Sequence, residues 1–599
     1  MYSENACRSV FASLLTIVVL AVCFFVPVAV HAQAEGATLS GMVTDPSSAA
    51  VPNSNVSIKN IETGISRDVT TNEAGFYNAP NLSPGVYEVS VSAPGFSKLV
   101  QTNVTLTVGA QQVLNLSLQV GEVTQTVLVP GEGPNVELTS SALTAEVNSV
   151  TVRELPLNGR DWSSLAVLQP GTIGIRTQIG TTGTVNRGNR GFGNQLSISG
   201  HRPTENNYRV NGISVNDYSN GSPGSVQGAQ LGVDAIQEFS VLTANYTAEY
   251  GRTSGGVINA ITKSGANDFH GSAYWFLRDE GLDARSFFDT TRSPFHRNQF
   301  GGSAGGPIQK DKTFVFGDYE AIRQVLGLNS VQLVVPSPAA RGIGLNGQPT
   351  VAVVNGSPLP ASGSGAAPNP DPTTHIDTAV LPYLAFYPLP NAGLNGDTGF
   401  FVSSPTHQYS QNYATARLDH KFTDKDSVDF VWFFDRSFQI TPDAFLESRT
   451  ETFSERVLGE IEETHVFSSS AVNNARFGYS RTNGIVGQPV DALLPVAADA
   501  TLGVVPNRPA PILGVSGLAT AQGSLGSQTR NNHTQNSYQF YDDAFITRGT
   551  HALKLGFSVE GLQYNELSVQ RPNGTFNFKL PRAADSMLST MRFNIATRT

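Results

Sequence analysis

With 599 residues, the chain is long enough for three or four ordinary domains or for one large barrel. Its 38 Lys and Arg residues against 48 Asp and Glu residues give a net charge of −10. That balance offers no basic surface for a phosphate backbone, so no nucleic-acid partner is expected. Charged residues make up only 14% of the chain and glycine is abundant, with 58 residues, which is typical of β structure with polar, uncharged loops.

The first 34 residues have the pattern of a secretory signal. Arg8 precedes an apolar run over residues 10–30, and small residues follow that run. Both cysteines, Cys7 and Cys23, lie in this segment, so the processed chain is predicted to have neither disulfides nor thiolate metal sites. An uncleaved membrane anchor is the alternative, because about 20 apolar residues can span a bilayer. Since no later apolar run is comparable, a membrane location would require a β-barrel.

Residues 35–120 show short strand patterns at regular spacing, with turn residues between them. Apolar and polar residues alternate in two of these runs, 85–93 and 111–120. This alternation predicts half-buried antiparallel sheets, and hence a β-sandwich of about seven strands. The apolar positions are Tyr87, Val89 and Val91 in the first run and Leu114, Leu116, Leu118 and Val120 in the second.

The same segment resembles the carboxypeptidase regulatory-like domain, a transthyretin-like sandwich that is also grouped with carbohydrate-binding-like folds. The resemblance rests on the opening Gly41 to Asp45, the turn at 72–77 and the hairpin at 84–87. Despite the family's name, no peptidase is predicted, because no histidine has the His-x-x-Glu spacing of a zinc site. We expect core packing rather than sugar binding from the aromatic residues of this segment. They are Phe76, Tyr77, Tyr87 and Phe96.

A short β-prone run follows the predicted sandwich, between two glycine-containing turns. The sequence shows no obvious partner for it, so two interpretations are open. It is either a linker strand that packs on the next domain or an exposed strand that is donated to another protein's sheet. The run comprises Val123, Thr124, Gln125, Thr126, Val127, Leu128 and Val129.

Residues 151–171 contain a turn with proline and glycine, followed by a predicted short helix. Asp161 is the predicted N-cap, Leu165 and Leu168 supply an apolar face, and the Pro-Gly pair at 170–171 ends the helix. The turn carries the motif Leu155, Pro156, Leu157, Asn158, Gly159, Arg160 and Asp161.

Three long stretches, at 155–171, 197–217 and 234–276, together resemble the plug of TonB-dependent outer-membrane receptors of the Oar-like subfamily, which carries a regulatory-like domain in front. The stretches read LPLNGRDWSSLAVLQPG, SISGHRPTENNYRVNGISVND and DAIQEFSVLTANYTAEYGRTSGGVINAITKSGANDFHGSAYWF. The resemblance implies that residues 121–265 form a plug in a barrel lumen, and that the strand at 123–129 lies where a TonB box is expected. The implied partners are a TonB-type inner-membrane energy-coupling complex, outer-membrane lipid and an unidentified extracellular ligand.

From residue 266 onward the chain has the pattern of a transmembrane antiparallel β-barrel. About ten candidate strands have at least the length needed to cross a bilayer, about 9 to 11 residues. Short turns at one end and long loops at the other are typical of outer-membrane barrels, although a soluble sandwich or propeller gives the same alternation of side chains. The short connections are 309–312, 423–426, 468–470 and 548–550, and the long ones are 324–409 and 484–534.

Two of these strands show which face is expected to contact lipid. Their apolar residues lie on one side and their polar residues, such as Lys554 and Glu560, on the other. Residues 257–263 are predicted as the last plug strand and 270–276 as the first barrel strand. The predicted lipid-facing residues are Val428, Phe430, Trp432, Phe434, Leu553, Leu555, Phe557 and Val559.

The number of candidate strands predicts an incomplete wall. A barrel wide enough to hold a plug has about 22 strands, whereas residues 266–599 supply about ten. Residues 583–599 have no strand alternation. We therefore expect a C-terminally truncated or frame-shifted chain that contains only the first part of the barrel.

No catalytic, cofactor-binding or metal-binding residue is predicted. The run 301–305 matches the Gly-x-Ser-x-Gly nucleophile pattern but lies in a predicted strand, not at a strand-to-helix turn. The glycine-rich run at 188–193 has no following helix with which to bind phosphate. Asp279, Glu280 and Asp283 are expected to be solvated at a strand end.

The sequence therefore predicts a non-enzymatic outer-membrane receptor or transporter that binds an extracellular ligand and gates its passage by movement of the plug. The alternative is a surface adhesion or scaffold protein that binds glycans or proteins without transport.

Overall fold

The computed structural model describes residues 36–121, 126–130, 142–155, 157, 159–175, 191–285, 292–327, 331–341, 352–354, 357–359, 361–362, 376–377, 381–515, 517–521, 530–549 and 551–578. The predicted secretory signal lies outside these residues. The chain is mainly β, as predicted. None of the helices in these ranges is long and apolar enough to span a membrane.

The N-terminal strands form two sheets around an apolar core. They are β1 (Ala37–Thr44), β2 (Asn55–Asn60), β3 (Ser66–Thr70), β4 (Phe76–Leu82), β5 (Gly85–Ser92), β6 (Lys98–Leu106), β7 (Gln111–Val113), β8 (Leu116–Ser117) and β9 (Thr126–Pro130). One sheet has the order β4-β1-β7, with β8 also beside β1, and the other has the order β3-β2-β5-β6-β9. The predicted sandwich is therefore confirmed, and Leu39, Ile58 and Val89 are fully buried between its sheets.

Most of the predicted sandwich core is confirmed, but the strand predicted at 111–120 is wrong. Tyr77 and Tyr87 are buried, as expected of core aromatics. The predicted strand is split into β7 and β8 because the Asn115 side chain accepts the backbone N–H of Met42 at 2.9 Å, where a continuous strand would offer its own carbonyl. Beyond Leu118, which is still fully buried, the chain leaves the core, and Val120 is 75% exposed.

The central part of the chain is a five-stranded sheet with short helices. Its elements are β10 (Leu143–Asn148), α1 (Ser149–Glu154), a 3₁₀ helix (Trp162–Leu168), β11 (Thr172–Ile175), β12 (Gln195–Ile198), β13 (Asn207–Val210), β14 (Ile213–Ser214), β15 (Ile236–Ala244) and β16 (Val257–Thr262), with single 3₁₀ turns at Pro203–Glu205, Val233–Ala235 and Ala248–Tyr250. The sheet order is β10-β15-β16-β13-β14, and β11 pairs with β12. Every residue of β16 is buried, and this strand matches the strand predicted at 257–263 except for Lys263, which lies beyond its end.

The predicted helix after Asp161 is present, although one of its predicted apolar residues is not in the core. Asp161 is the N-cap and accepts the N–H of Ser163. Leu165 is buried as expected, but Leu168 is 64% exposed. The buried residues of the helix are Trp162, Ser163, Leu165 and Ala166, and Leu168 lies past them, where the helix ends.

The remaining strands are β17 (His270–Asp279), β18 (Phe295–Gln309), β19 (Thr313–Gly327), β20 (Val331–Pro336), β21 (Ala352–Val354), β22 (Ser357–Leu359), β23 (Ala361–Ser362), β24 (Ile376–Asp377), β25 (Leu394–Asn395), β26 (Thr398–Ser403), β27 (Thr406–Lys421), β28 (Asp426–Pro442), β29 (Ser448–Ser468), β30 (Ala471–Ala492), β31 (Ile512–Val515), β32 (Arg530–Arg548), β33 (His551–Val569) and β34 (Thr575–Phe578). Nine of them form one antiparallel sheet in the order β17-β18-β19-β27-β28-β29-β30-β32-β33. The four predicted short turns join these strands, as expected, and the two predicted long connections are present but shorter than 324–409 and 484–534, because β19, β27, β30 and β32 extend into them. Within the described part of the chain, the edge strands β17 and β33 do not pair with each other.

The large sheet has apolar residues on its outer face, and its inner face carries many buried polar residues beside apolar ones such as Phe433. On β28, Phe430 and Trp432 are 42% and 37% exposed, whereas the inward-pointing Asp435 is 2% exposed. Glu460 and Gln539 on neighbouring strands are also buried. This arrangement is that of a transmembrane barrel wall, and it confirms the predicted lipid-facing side of β28. The strands are 10 to 22 residues long, so most are longer than a bilayer crossing requires.

The long connections pack against one another at one end of this wall. Phe386, Tyr387 and Phe445 belong to a separate apolar cluster that also includes residues of β31. The buried Arg341 guanidinium donates to the carbonyls of Leu384, Tyr387 and Pro388. The short turns lie at the other end, beside the sandwich.

Candidate functional site

The central domain lies against the inner face of the large sheet, and Arg160 makes the most buried ionic contact between them. Its Nη2 donates to Asp234 Oδ2 at 2.7 Å, and its Nε lies 3.2 Å from Oε1 of Glu320 on β19. The side chains of Arg160, Asp234 and Glu320 are 14%, 5% and 0% exposed. We call these three residues the latch, because they join the predicted plug to the predicted barrel wall.

Neighbouring groups hold the latch in place from both sides. The Arg160 guanidinium lies 4.1 Å from the centre of the Tyr274 ring, a cation–π contact with the wall. Gln299 of β18 donates to Glu320 at 2.7 Å and to the Gly159 carbonyl at 3.1 Å. Gln299 thus contacts both the Glu320 carboxylate and the backbone next to Arg160.

Gly232 lets the plug backbone approach the wall at the latch. Its N–H donates to Glu320 Oε2 at 3.1 Å, and its φ of 91° is a conformation that favours glycine. A Cβ at this position would lie 2.5 Å from the ring of Tyr413 on β27. Only a residue without a side chain fits this contact.

Asp161, beside the latch, organises the plug itself. It accepts hydrogen bonds from the Ser163 hydroxyl at 2.7 Å, from the Gln230 N–H at 3.1 Å and from the Asn194 side chain. Burial raises the pKa of Asp161, while these hydrogen bonds act in the opposite direction. Asp161 thus links the 3₁₀ helix to the segment that leads to Gly232.

The rest of the predicted plug motif is only partly at this contact. Leu157 packs against the main apolar core, and Leu155 is partly exposed. Pro156 and Asn158 lie outside the described residues. Of the motif, Gly159 and Arg160 therefore contact the wall, whereas Asp161 contacts the plug segment beside it.

A second set of ionic contacts joins the plug to β33. Arg252 Nη1 lies 3.0 Å from Glu560 Oε2, and the two side chains are 26% and 22% exposed. Lys554 of the same strand pairs with Glu249. This set, which we call the rim contacts, is more accessible to solvent than the latch.

Part of the predicted coupling strand is paired within the chain. Residues 126–130 form β9, which runs parallel to β6 with Lys98 opposite Thr126 and Thr102 opposite Pro130. Val123, Thr124 and Gln125 lie outside the described residues. The partner strand, β6, was not evident from the sequence, because two parallel strands whose paired residues are 28 positions apart leave no local pattern. The assignment of this strand as a TonB box stays a prediction.

Other candidate residues have ordinary structural partners. The run 301–305 lies inside β18, as predicted, with β17 and β19 paired on its two sides. Asp279 accepts the N–H of Gly281 and contacts His296 at 3.1 Å. Asp426, Glu463 and His465 form the one group of metal-type ligand atoms found among the described residues, and it is half-exposed.

Sequence reasoning missed Asp234 and Glu320, which complete the latch. Glu320 lies on an alternating strand at an inward position, next to an outward Tyr319. An acidic residue at such a position is a signal for a lumen contact, but alternation does not show which cation it meets.

Family models match most of the chain in the order that the fold shows. The "Carboxypeptidase regulatory-like domain" matches residues 38–119, the "TonB-dependent Receptor Plug Domain" matches 141–257, and the "Outer membrane beta barrel domain" matches 261–593. The chain is thus an outer-membrane β-barrel protein with an internal plug. It belongs to the TonB-dependent receptor family.

Individual relatives agree with this family. The chain is 27% identical over 310 residues to the TonB-dependent transporter Oar of Myxococcus xanthus, a match that covers 48% of this chain and 27% of Oar. It is 29% identical over 160 residues to the ferrienterobactin receptor of Escherichia coli K12, covering 24% of this chain and 20% of the receptor. The chain therefore matches about a quarter of the length of these curated relatives.

Among solved structures, the outer membrane transporter YddB from Escherichia coli is similar at 12% identity, with a TM-score of 0.43. That comparison covers 74% of this chain and 51% of YddB.

Proposed function

We propose that the chain is the receptor part of an outer-membrane transporter, in which an extracellular ligand is admitted when the plug moves relative to the barrel wall. The latch is the observation that carries this proposal. Arg160 and Asp234 belong to the plug and Glu320 belongs to the wall, so the contact can open without breaking any backbone pairing within either sheet.

Hydrogen bonds join the plug to the wall, and gating requires contacts that can break and form again. Gly232, Val226 and Ser214 of the plug meet Glu320, Ser437 and Gln539 of the wall through hydrogen bonds. Water can replace polar contacts of this kind at modest net cost, because a typical hydrogen bond contributes only about 1 kcal/mol to stability. Contacts of this kind can break under an applied force and can form again afterwards.

The force would come from a TonB-type inner-membrane complex that acts on the strand at 123–129. A strand at a sheet edge can pair with a partner's strand by β-augmentation. Both this partner and the extracellular ligand are inferred from family membership. The proposed mechanism contains no covalent step.

The test is a pair of chromosomal deletions in the host, one of the whole gene and one of residues 122–129. Growth is scored on iron chelates, oligosaccharides and peptides as single nutrient sources. We expect a nutrient on which both deletions grow poorly, because a receptor without its coupling strand cannot release the plug. A matched control, Val127→Thr, keeps the β-prone character and is expected to grow normally, whereas Val127→Pro is expected to behave as the deletion.

Normal growth of the 122–129 deletion, on a nutrient that the whole-gene deletion cannot use, would contradict coupling through this strand. Loss of surface attachment in the whole-gene deletion, with normal growth of both strains on every nutrient, would support an adhesion protein instead.

A further inference from the structure

One turn of the sandwich faces two carboxylates of the plug. The turn at 107–110 connects β6 to β7. Its Thr107 hydroxyl donates to Glu146 Oε1 at 2.7 Å, and the Val108 N–H donates to Glu238 Oε1. Val108 and Glu238 are both buried in this contact. We call residues 107–110 together with Glu146 and Glu238 the clasp.

The clasp is located between the predicted coupling strand and the latch. On the sandwich side, β6 leads directly into the turn, and β9 pairs along the edge of β6. On the plug side, Glu238 lies on β15, and Asp234 of the latch is only four residues before it. Glu146 lies on β10, which pairs with β15 so that Asn148 of β10 lies opposite Glu238 of β15.

We propose that the clasp is the joint through which the sandwich, together with β9, holds the plug sheet beside the latch. A displacement of the sandwich would then act on β15, which directly follows the 3₁₀ turn that carries Asp234. Coupling of this kind needs a continuous physical connection, and the connection here is β9, β6, the turn, Glu238 and Asp234. The inference rests on the proposed function for its role in gating, whereas the clasp itself can be measured without transport.

The other contacts of the sandwich differ from the clasp in chemistry. Asn72 donates to the Gly549 carbonyl at 2.7 Å and Asn78 donates to Thr547 at 2.9 Å, both at the short turns of the wall. Asn267 donates its N–H to the Glu62 carbonyl at 2.9 Å. These contacts involve neutral amides, hydroxyls and backbone groups, so they do not titrate. At the clasp, by contrast, two carboxylates accept hydrogen bonds from the sandwich.

The clasp is therefore expected to depend on pH. Burial and, to a smaller extent, the nearby Glu146 carboxylate raise the pKa of Glu238 to about 7, although the hydrogen bond from Val108 opposes this shift. The turn itself contributes a hydroxyl and a backbone amide to this site, and Glu146 is the charged group that faces Glu238. When the sandwich leaves, Glu238 becomes solvated and its pKa falls toward about 4.3, the ordinary value.

The sign of the effect follows from proton linkage. The docked state has the higher pKa and binds the proton more tightly, so docking is fully favoured below about pH 4.3 and weakens as pH rises through about 7. With these two pKa values, the equilibrium constant for docking of the sandwich is about tenfold lower at pH 8 than at pH 6.

The test is hydrogen–deuterium exchange of the Val108 amide, expressed as a protection factor, in the full chain purified in detergent micelles. We expect protection about tenfold lower at pH 8 than at pH 6. Glu238→Gln keeps an acceptor for the amide but removes the titrating group, so its protection should be the same at both pH values. Glu238→Ala should lower the protection about tenfold at pH 6, because the amide loses its acceptor.

Asn78→Ala is the matched control, since it removes a neutral contact of the sandwich and should leave the pH dependence unchanged. Equal protection in the wild type and Glu238→Ala, or a pH dependence that persists in Glu238→Gln, would overturn the clasp.

Coupling to the latch is tested separately with Glu320→Gln and Arg160→Lys, which alter the latch from the wall and from the plug. Both variants should reduce the Val108 protection factor at pH 6 by about threefold or more. The reason is that substitutions along a connection between two coupled sites change the coupling free energy by about 0.5–2 kcal/mol. Unchanged Val108 protection in both variants would contradict the connection between the clasp and the latch, but it would not contradict the clasp itself. Either result is independent of the growth test of the proposed function.

Discussion

The plug meets the barrel wall through ionic contacts of two kinds, and their burial separates their roles. The latch is almost completely buried, with Glu320 fully enclosed between plug and wall. The rim contacts on β33 leave about a quarter of Arg252 and Glu560 exposed. Removal of one partner of a buried ion pair leaves an uncompensated charge, whereas an exposed ion pair contributes little to stability. We therefore expect the loss of a latch residue to destabilise the plug more than the loss of a residue at the rim contacts.

The largest effect is expected for Arg160→Ala. The substitution leaves Asp234 and Glu320 buried without their cation, so the opening free energy of the plug sheet should fall by about 3–5 kcal/mol. Native-state hydrogen exchange of the β15 and β16 amides measures this opening. The control is Arg153→Ala, because Arg153 is half-exposed and pairs with its neighbour Glu154; it should change the opening free energy by less than about 0.5 kcal/mol. Equal effects of the two substitutions would remove the distinction between buried and exposed contacts.

A smaller loss is expected for Gly232→Ala. The new Cβ would lie 2.5 Å from the Tyr413 ring, at a residue with a φ of 91°. The backbone must move away from Glu320, and we expect a cost of about 1–3 kcal/mol for the strained conformation. Gly200→Ala is the matched control, since Gly200 has a φ of 81° but no atom within 4 Å of the added Cβ. If both substitutions destabilise the plug sheet equally in the same exchange experiment, the close approach of Gly232 to the Tyr413 ring does not contribute to the stability of the plug sheet.

The smallest effect is expected for Arg252→Ala at the rim contacts. Its loss should cost about 0–1 kcal/mol, and the effect should diminish further in 1 M salt, where the screening length is about 3 Å. Exchange of the β15 and β16 amides at low and high salt measures both values. A cost at high salt as large as that of Arg160→Ala would reverse the assignment of roles.

The sequence predicted the parts of this fold that depend on neighbouring residues. Alternation along β28 was sufficient to separate Phe430 from the inward face, since successive strand residues point to opposite sides. Asp161 was recognised as an N-cap because its partner, Ser163, is two residues away. The exposed Leu168 was predicted wrongly because a helical pattern does not show where the helix leaves the core.

The parts that the sequence did not predict involve distant partners. Arg160 and Glu320 are 160 positions apart, and neither has a local signal that points to the other. The pairing of β9 with β6 and the contact of Val108 with Glu238 are of the same kind. Asn115 interrupts a predicted strand because its side chain, rather than its backbone, meets Met42 across the sheet.

A double-mutant cycle between Arg160 and Glu320 tests most directly whether the buried latch holds the plug in the wall. The opening free energy of the β15 and β16 amides is measured for the wild type, Arg160→Ala, Glu320→Gln and the double variant, and the same cycle is repeated for Arg252 and Glu560. We expect a coupling energy of about 2–3 kcal/mol for the latch and less than about 1 kcal/mol for the rim pair. A latch coupling below about 0.5 kcal/mol, or one no larger than that of the rim pair, would contradict the account.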